Sequence, residues 1–189
     1  KAVHELISRL GGQKNIGMRN AAAEVFVQFG KLSVEPLLSH LNQADEDIRK
    51  LMADILGEIK DKRAIPGLID RLADPNENVQ ASAIEALGKI QDREATAALL
   101  RMLKKDNALI VFSAIKALEQ IGDDQATPRL IEISDNPVFK RAALEALGAV
   151  GDTRALDPLL SALRSGSRNV KYSTLKAIAA LEGKQPREG

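Results

Sequence analysis

Histidine and cysteine, the side chains that most often hold metals or act as catalytic bases and nucleophiles, are scarce in this chain. It has two histidines, His4 and His40, and no cysteine. Neither histidine has another three or four residues away, and the single His4-Glu5 dipeptide falls short of the roughly three or four ligands of a zinc site. We therefore expect no metal site, no cofactor, no catalytic residues and a protein that is not an enzyme.

The other common chemical motifs are not indicated either. The 26 aspartates and glutamates show no spacing that selects two of them as an acid–base pair. Gly11-Gly12 predicts a turn and not a phosphate-binding loop. The formal net charge is +1 and tryptophan is absent, so phosphate neutralisation and base stacking would both be poorly served. Nucleic-acid binding is the least favoured function.

The elements that would position any functional residue follow a repeat of about 31 residues, which is the size of a helical hairpin unit. ALGKIQDREATAALLRML and ALEQIGDDQATPRLIEIS are two of four segments that show it plainly. Each repeat carries two stripes with the i, i+3, i+4, i+7 spacing of an amphipathic helix, and β-type alternation is absent. One column of leucines runs through all six repeats: Leu6, Leu37, Leu68, Leu99, Leu130 and Leu159.

These patterns predict an all-α fold, a right-handed α-solenoid of six helix pairs and twelve helices. We expect one domain over residues 1–181 and a disordered tail over 182–189. The predicted pairs lie near 1–29, 32–59, 62–90, 93–121, 124–150 and 153–181. Two further columns are predicted to pack inside: Met18, Ile48, Val79, Ile110, Phe139 and Val170, and Phe26, Leu56, Leu87, Leu118, Leu147 and Ile178.

Residues at the predicted helix ends support this register. Aspartates stand where four of the six predicted first helices need an N-cap acceptor. Gly122 and Gly151 follow second helices, where a left-handed conformation suits glycine. The fifth repeat is two residues short, so Asn136-Pro137 predicts a tighter corner. The capping residues are Asp61, Asp92, Asp123 and Asp152.

A recurring glycine inside the second helices predicts close helix approach. Each such glycine costs about 1 kcal/mol relative to alanine, so a recurring cost indicates a packing reason. The column holds Gly57, Gly88 and Gly148, and in the other repeats Val27, Glu119 and Ala179. For Glu119 we expect the carboxylate to reach outwards, the alternative being a locally opened repeat.

Several short motifs resemble the HEAT-like repeats named after phycobilisome lyase subunits: Ile48-Arg49, Ala86-Leu87-Gly88, Val150-Gly151-Asp152, Arg154-Ala155 and Pro158-Leu159-Leu160. The resemblance implies a solenoid and a protein-binding role, with a phycobilin lyase or isomerase acting on a biliprotein as the alternative. The family's arginine after the first apolar residue of the second helix is kept as Arg19 and Arg49. It is replaced further on, so its Arg–Asp ladder is expected to be patchy.

The resemblance also implies that second helices form the concave face, where we expect a protein partner of unknown identity to bind. Phe112 and Tyr172 are apolar at positions that packing does not require, so they suit an interface. Alternatively, Phe112 packs on a neighbouring helix and Tyr172 covers the C-terminal edge. Acidic side chains on this face are either solvated or suit a basic partner. The predicted binding residues are Lys50, Leu51, Asp54, Glu85, Phe112, Lys116, Arg141, Glu145, Tyr172 and Lys176.

Location and context complete the sequence-based expectations. No apolar run approaches the roughly 18 residues of a membrane helix, and no signal-peptide pattern opens the chain. Together with the absence of cysteine, this favours a cytoplasmic protein with no membrane partner. Because Lys1 falls inside a repeat, we expect the chain to be part of a larger protein with further repeats or domains.

Overall fold

The computed structural model describes residues 16–42 and 45–184. Within these residues it contains eleven α-helices, five 3₁₀ turns and no strand. The first of the twelve predicted helices, with Leu6 and His4, lies outside the described residues. The chain divides into two compact units, residues 1–95 and 96–189, and the single domain predicted over residues 1–181 stays a prediction.

The N-terminal unit contains two kinds of helix that alternate along the chain. Its second helices are 14 residues long, and its first helices have seven. Its α-helices are α1 (Ile16–Phe29), α2 (Val34–His40), α3 (Glu46–Ile59), α4 (Ile65–Arg71) and α5 (Glu77–Ile90). The second helices α1, α3 and α5 pack side by side, and α2 and α4 pack on α3 and α5.

The C-terminal unit repeats this arrangement with more variable lengths. Its α-helices are α6 (Thr96–Met102), α7 (Ala108–Ile121), α8 (Thr127–Ile133), α9 (Lys140–Val150), α10 (Leu156–Ser165) and α11 (Arg168–Lys184). The second helices α7, α9 and α11 pack side by side, and each first helix packs on the second helix of its own repeat. The predicted tail is corrected at its start, because α11 continues through residues 182–184.

Leucine side chains hold the first helices to the second ones. Leu37, Leu68, Leu99, Leu130 and Leu159 are all fully buried, as the leucine column predicted. The column that begins with Phe26 is fully buried through Leu147. Met18, predicted to pack inside, is instead 49% exposed in the first turn of α1.

The predicted aspartate caps each close a 3₁₀ turn that leads into a first helix. In Asp61 and Asp152 the carboxylate accepts a hydrogen bond from the backbone N–H two residues later, at 3.0 Å in both cases. The 3₁₀ turns are Gly30–Leu32, Lys62–Ala64, Arg93–Ala95, Asp124–Ala126 and Thr153–Ala155. The cap therefore acts one turn earlier than a cap placed directly on the α-helix.

The same aspartates also connect successive repeats. Asp61 pairs with the Arg63 guanidinium, which also donates to the Lys31 carbonyl of the preceding repeat at 3.0 Å. Asp152 and Arg154 reproduce this contact in the C-terminal unit, where Arg154 donates to the Asp124 carbonyl at 3.0 Å. Each aspartate thus caps one repeat and ties it to the one before.

The other two aspartates make the same connection with different chemistry. Asp92 binds the Lys62 ammonium at 2.6 Å. Asp123 accepts a buried hydrogen bond from the Thr96 hydroxyl at 2.7 Å. The aspartate at this repeat position therefore pairs with an arginine, a lysine or a threonine, depending on the repeat.

The fifth repeat has the tighter corner that its missing residues predicted. Asn136 caps a short turn by accepting hydrogen bonds at its side chain from Val138 N–H and at its carbonyl from Lys140 N–H. Helix α9 then begins only at Lys140 and has 11 residues, whereas α3, α5 and α7 have 14. Three of the other second helices begin after an Asp or Asn whose side chain caps them: Asp45, Asn76 and Asn107.

Glycine at the close-approach column allows backbones to touch. A Cβ at Gly57 would lie 2.8 Å from the Ala86 Cα, and one at Gly148 would lie 2.4 Å from the Ala177 Cα. Real Cβ atoms do not approach backbone this closely, so glycine is required for α3 to meet α5 and for α9 to meet α11. The predicted close approach is confirmed at these two positions.

The Arg–Asp ladder is as patchy as predicted. Arg49 binds Asp74 with two hydrogen bonds of 2.8 and 2.9 Å, and the Asp74 side chain is fully buried. Burial alone would raise the Asp74 pKa, but the hydrogen bonds from Arg49 and Asn76 N–H and the charge of Arg71 outweigh it and hold the pKa below its usual range. At the next repeat Gln80 donates instead to the Asp74 carbonyl.

Candidate functional site

Four of the ten predicted binding residues lie in the N-terminal unit. Lys50 and Glu85 are exposed, and Leu51 is half-buried on α3. The Lys50 ammonium lies 2.8 Å from the Asp54 carboxylate one helical turn away, which is an ordinary surface ion pair. The structure thus leaves these side chains accessible on the second helices.

Leu51 and Asp54 line a groove between α1 and α3, which we call the α1–α3 groove. Its volume is about 480 Å³, which is in the range of many ligand sites. The apolar part of the lining comes from Ala23, Val27, Leu51 and Ile55. The polar part comes from Glu24, Gln28, Asp54 and Glu58. None of these eight described residues carries a positive charge.

Two lysines that do not line the groove pair with two of its carboxylates. The Lys89 ammonium of α5 lies 2.7 Å from the Glu58 carboxylate, and this contact lowers the Glu58 pKa below its usual range. Lys50 approaches Asp54 along α3. Each carboxylate can accept further hydrogen bonds on its remaining lone pairs.

The other six predicted residues lie in the C-terminal unit, where Phe112 has an intramolecular partner. Its ring meets the Phe139 ring edge-to-face, with centroids 5.0 Å apart and an interplanar angle of 72°. Phe112 is still 37% exposed. Part of the Phe112 ring therefore packs on Phe139, the residue before α9, which comes close to the alternative prediction, and the rest of the ring faces solvent.

Tyr172 is the more accessible aromatic residue, at 62% exposed. The Lys176 ammonium lies 4.8 Å from the centre of its ring, a cation–π contact worth about 0.5–1 kcal/mol at an exposed site. The ring and the charge are presented together on α11.

Glu145 is the centre of a charged network in the C-terminal unit. It accepts a hydrogen bond from the Ser173 hydroxyl at 2.8 Å, and its carboxylate lies 3.5 Å from the Lys116 ammonium and 4.0 Å from Arg141. Lys116 also binds Glu119 at 2.7 Å. Burial would lower the Lys116 pKa, but Glu119 and Glu145 outweigh it and raise the pKa.

A second groove, between α9 and α11, lies at the same repeat positions as the α1–α3 groove. It is lined by Glu119, Glu145, Ala149, Lys176, Ala177 and Ala180. By repeat position, Glu145 corresponds to Glu24, Lys176 to Asp54 and Ala177 to Ile55. The C-terminal groove therefore contains both charge signs and small side chains, whereas the N-terminal groove contains acidic and large apolar ones.

Several site residues were missed by the sequence reading. Val27, Ile55, Glu58 and Glu119 line grooves but were not among the ten predicted residues. A signal was available, because Val27 and Glu119 are the two large side chains in the glycine column. Glu119 reaches Lys116 with its carboxylate, in agreement with the expected outward orientation.

The described part of the chain contains no preformed metal site. No group of three or more His, Asp or Glu residues is placed there to hold an ion. The His40 Nδ1 lies 3.0 Å from the Pro36 carbonyl oxygen and 3.0 Å from the Ser39 hydroxyl, both on its own helix. Among the described helices, none has the length and hydropathy that a bilayer span requires.

The family assignment follows from the repeats. A family model for HEAT repeats matches residues 34–111, 65–138 and 131–188. These matches cover most of the chain, which therefore belongs to the HEAT repeat family. This repeat-solenoid fold is typical of protein-interaction scaffolds.

Solved structures support the same fold class. An engineered protein aligns at 19% identity with a TM-score of 0.63, covering 97% of each chain. A designed armadillo repeat protein in complex with the peptide (KR)4 aligns at 15% identity, with a TM-score of 0.63, over 96% of this chain and 100% of that one. The CpcE–CpcF complex of phycocyanin lyase from Nostoc sp. PCC7120 aligns at 21% identity, with a TM-score of 0.63, over 93% and 75%. No curated protein matches the sequence.

Proposed function

We propose that this protein is a non-catalytic, cytoplasmic interaction scaffold that binds a protein partner on the face of its second helices. The observation that carries the proposal is the exposure of Tyr172 and of part of Phe112 on second helices. Aromatic side chains are the usual anchors of protein interfaces, because they bury a large apolar area at little cost in side-chain entropy.

The surrounding charges fit this role. Lys116, Arg141 and Lys176 lie near the aromatic side chains in the C-terminal unit, and two of them already contact Glu145. Such pairs at a rim steer and orient a partner more than they add affinity. In the N-terminal unit, Lys50, Leu51, Asp54 and Glu85 would extend the binding surface with mainly acidic chemistry.

The proposal is tested by quantitative affinity capture from the native host with a Phe112→Ala, Tyr172→Ala double variant. We expect a loss of partner recovery of about tenfold or more, since hot-spot truncations cost about 2 kcal/mol. Leu156→Ala is the matched control, because Leu156 is similarly exposed but lies on a first helix. Tyr172→Ala alone guards against misfolding, since Tyr172 is mostly solvated. Unchanged recovery with an unchanged thermal melt would refute the site.

The lyase neighbour motivates one alternative proposal, a bilin lyase or isomerase-like subunit acting on a biliprotein. A likeness at 21% identity carries the fold and not the activity. Mixing the protein with a linear tetrapyrrole and recording the visible spectrum separates the two proposals. A shifted absorbance band that survives gel filtration would favour the lyase-like role.

A further inference from the structure

We propose that the α1–α3 groove of the N-terminal unit binds an amphipathic helical segment of a partner. Its aliphatic side chains enter the groove, and its Lys or Arg side chains pair with Glu24, Asp54 and Glu58. The inference rests on the protein-binding function proposed above, and it adds a place and a partner chemistry that the ten predicted residues do not specify.

The groove exists because large side chains replace the glycine contact. Where Gly57 meets Ala86 and Gly148 meets Ala177, the helix backbones touch. At the same repeat positions between α1 and α3 stand Val27 and Ile55. Two β-branched side chains cannot occupy the space of a glycine and an alanine, so α1 and α3 are held further apart and a groove opens between them.

The floor of the groove is suited to aliphatic side chains. Val27 is 39% exposed and Leu51 is half-buried, so apolar area faces solvent there without a covering residue among those described. Burying such area stabilises a complex by about 25 cal/mol per Å² before the costs of association are counted. A helix that presents aliphatic residues at i and i+4 places both along a groove between two helices.

The charge around the groove selects the sign of the partner. All three ionisable groups that line it are carboxylates, and Lys50 and Lys89 contact two of them from outside. Because the whole chain has a formal net charge of only +1, a basic peptide is not attracted to the protein in general. A preference for basic peptides would therefore indicate binding at the groove.

The experiment uses two fluorescein-labelled peptides of about 16 residues and fluorescence anisotropy with the full chain. Both peptides carry Leu in a helical i, i+3, i+4, i+7 pattern, and the remaining positions are Lys in one and Glu in the other. We expect the Lys peptide to bind at least tenfold more tightly than the Glu peptide at low salt, with the difference shrinking as salt is added.

Two kinds of variant separate the groove from its charge. Val27→Gly with Ile55→Ala restores the glycine–alanine pair and closes the groove while keeping every carboxylate, so we expect at least a tenfold loss of Lys-peptide binding. Leu51→Arg should have the same effect by blocking the groove. Glu24→Lys with Asp54→Lys should reverse the preference between the peptides. Asp70→Lys, a charge-reversing control at an exposed position on α4 outside the groove, should change affinity less than about twofold.

Three outcomes would overturn the inference: equal binding of both peptides, retained binding by the groove-closing variant with an intact melt, or an equal loss in Asp70→Lys. Concentration-dependent dimerisation that Leu51→Arg abolishes would assign the groove to a second copy of the chain and would also overturn it. The proposed function is judged separately, by capture with the Phe112 and Tyr172 variants in the C-terminal unit.

Discussion

The α1–α3 pair of the N-terminal unit and the α9–α11 pair of the C-terminal unit occupy the same repeat positions, yet they differ in how closely their helices approach. Gly148 lets the α9 backbone reach Ala177, whereas Val27 and Ile55 stand at the corresponding places in α1 and α3. The described leucines of these repeats, Leu37, Leu130 and Leu159, are all fully buried. The comparison shows that one column, and not the core, decides where a wide apolar groove opens.

A second difference lies at the C-terminal ends of the second helices. In the C-terminal unit the left-handed residues after α7 and α9 are Gly122 and Gly151, with φ of 66° and 82°. In the N-terminal unit Lys60 and Gln91 adopt the same conformation, with φ of 57° and 58°. A side chain in this region costs about 1–2 kcal/mol, so the N-terminal unit carries backbone strain that the C-terminal unit avoids.

The largest expected effect tests whether the two units share equally strong cores. Leu68→Ala in the N-terminal unit and Leu99→Ala in the C-terminal unit should each lower the free energy of unfolding by about 2–5 kcal/mol, since both side chains are fully buried. Ile178→Ala should cost less, because Ile178 is half-buried on the last helix. Urea denaturation measures all three, and equal losses would contradict a linear stack of repeats.

The next-largest effect is expected when the close α9–α11 contact receives a side chain like the one found between α1 and α3. Gly148→Val should destabilise the protein by about 1–3 kcal/mol, because the new side chain meets the Ala177 backbone. The control is Gly183→Ala on α11, where a Cβ would meet nothing within 4 Å and helix propensity favours alanine. Thermal unfolding by circular dichroism compares them. A neutral Gly148→Val would mean that close approach is not what excludes side chains from this column.

A smaller effect exchanges the helix-end residues between the units. Gly122→Ala should cost about 1 kcal/mol or more, and Gln91→Gly should stabilise by up to about 1 kcal/mol, because only glycine adopts positive φ without strain. Denaturant midpoints measure both changes. If Gln91→Gly destabilises instead, the Gln91 side chain contributes a contact that outweighs its backbone strain.

The smallest expected effect is a pH dependence common to both units. The Arg63 and Arg154 guanidinium groups lower the pKa of Asp61 and Asp152 from 3.8 to about 2. Between about pH 4 and pH 2 the unfolded chain binds more protons at these sites than the folded one. Their stabilising contribution is therefore complete above about pH 4 and is lost as the pH falls through about 2.

Asparagine at these positions keeps the cap but removes the titrating charge. We expect Asp61→Asn and Asp152→Asn each to flatten the fall of the melting temperature between pH 4 and pH 2. Asp70→Asn, at an exposed position on α4, should leave the curve unchanged. A curve for Asp61→Asn that is as steep as that of the wild type would show that the Arg63 contact does not contribute to acid stability.

Most of the fold could be read from the sequence, because packing in a repeat protein is local and recurs at fixed spacing. The leucine column, the aspartate caps and the short fifth repeat all occur where the period placed them. The family model over residues 34–188 then confirmed the HEAT-like class. The predictions were wrong at Met18, which is 49% exposed, and at residues 182–184, which continue helix α11.

The candidate site could be predicted only in part. Its helices and their outward positions follow from the period, so the ten residues could be named. Which side chains meet could not be named, because Phe112 with Phe139 and Glu145 with Ser173 join residues 27 or 28 positions apart in different repeats.

By itself the sequence determined the class of fold, the core columns and the helix-end residues, since each depends on local spacing and on intrinsic conformational preference. Tertiary structure decided how close neighbouring helices come, and therefore where grooves open and which charges surround them. The physical reason is that a groove depends on the combined volume of two side chains from different repeats. Val27 and Ile55 acquire their significance only when α1 is placed beside α3.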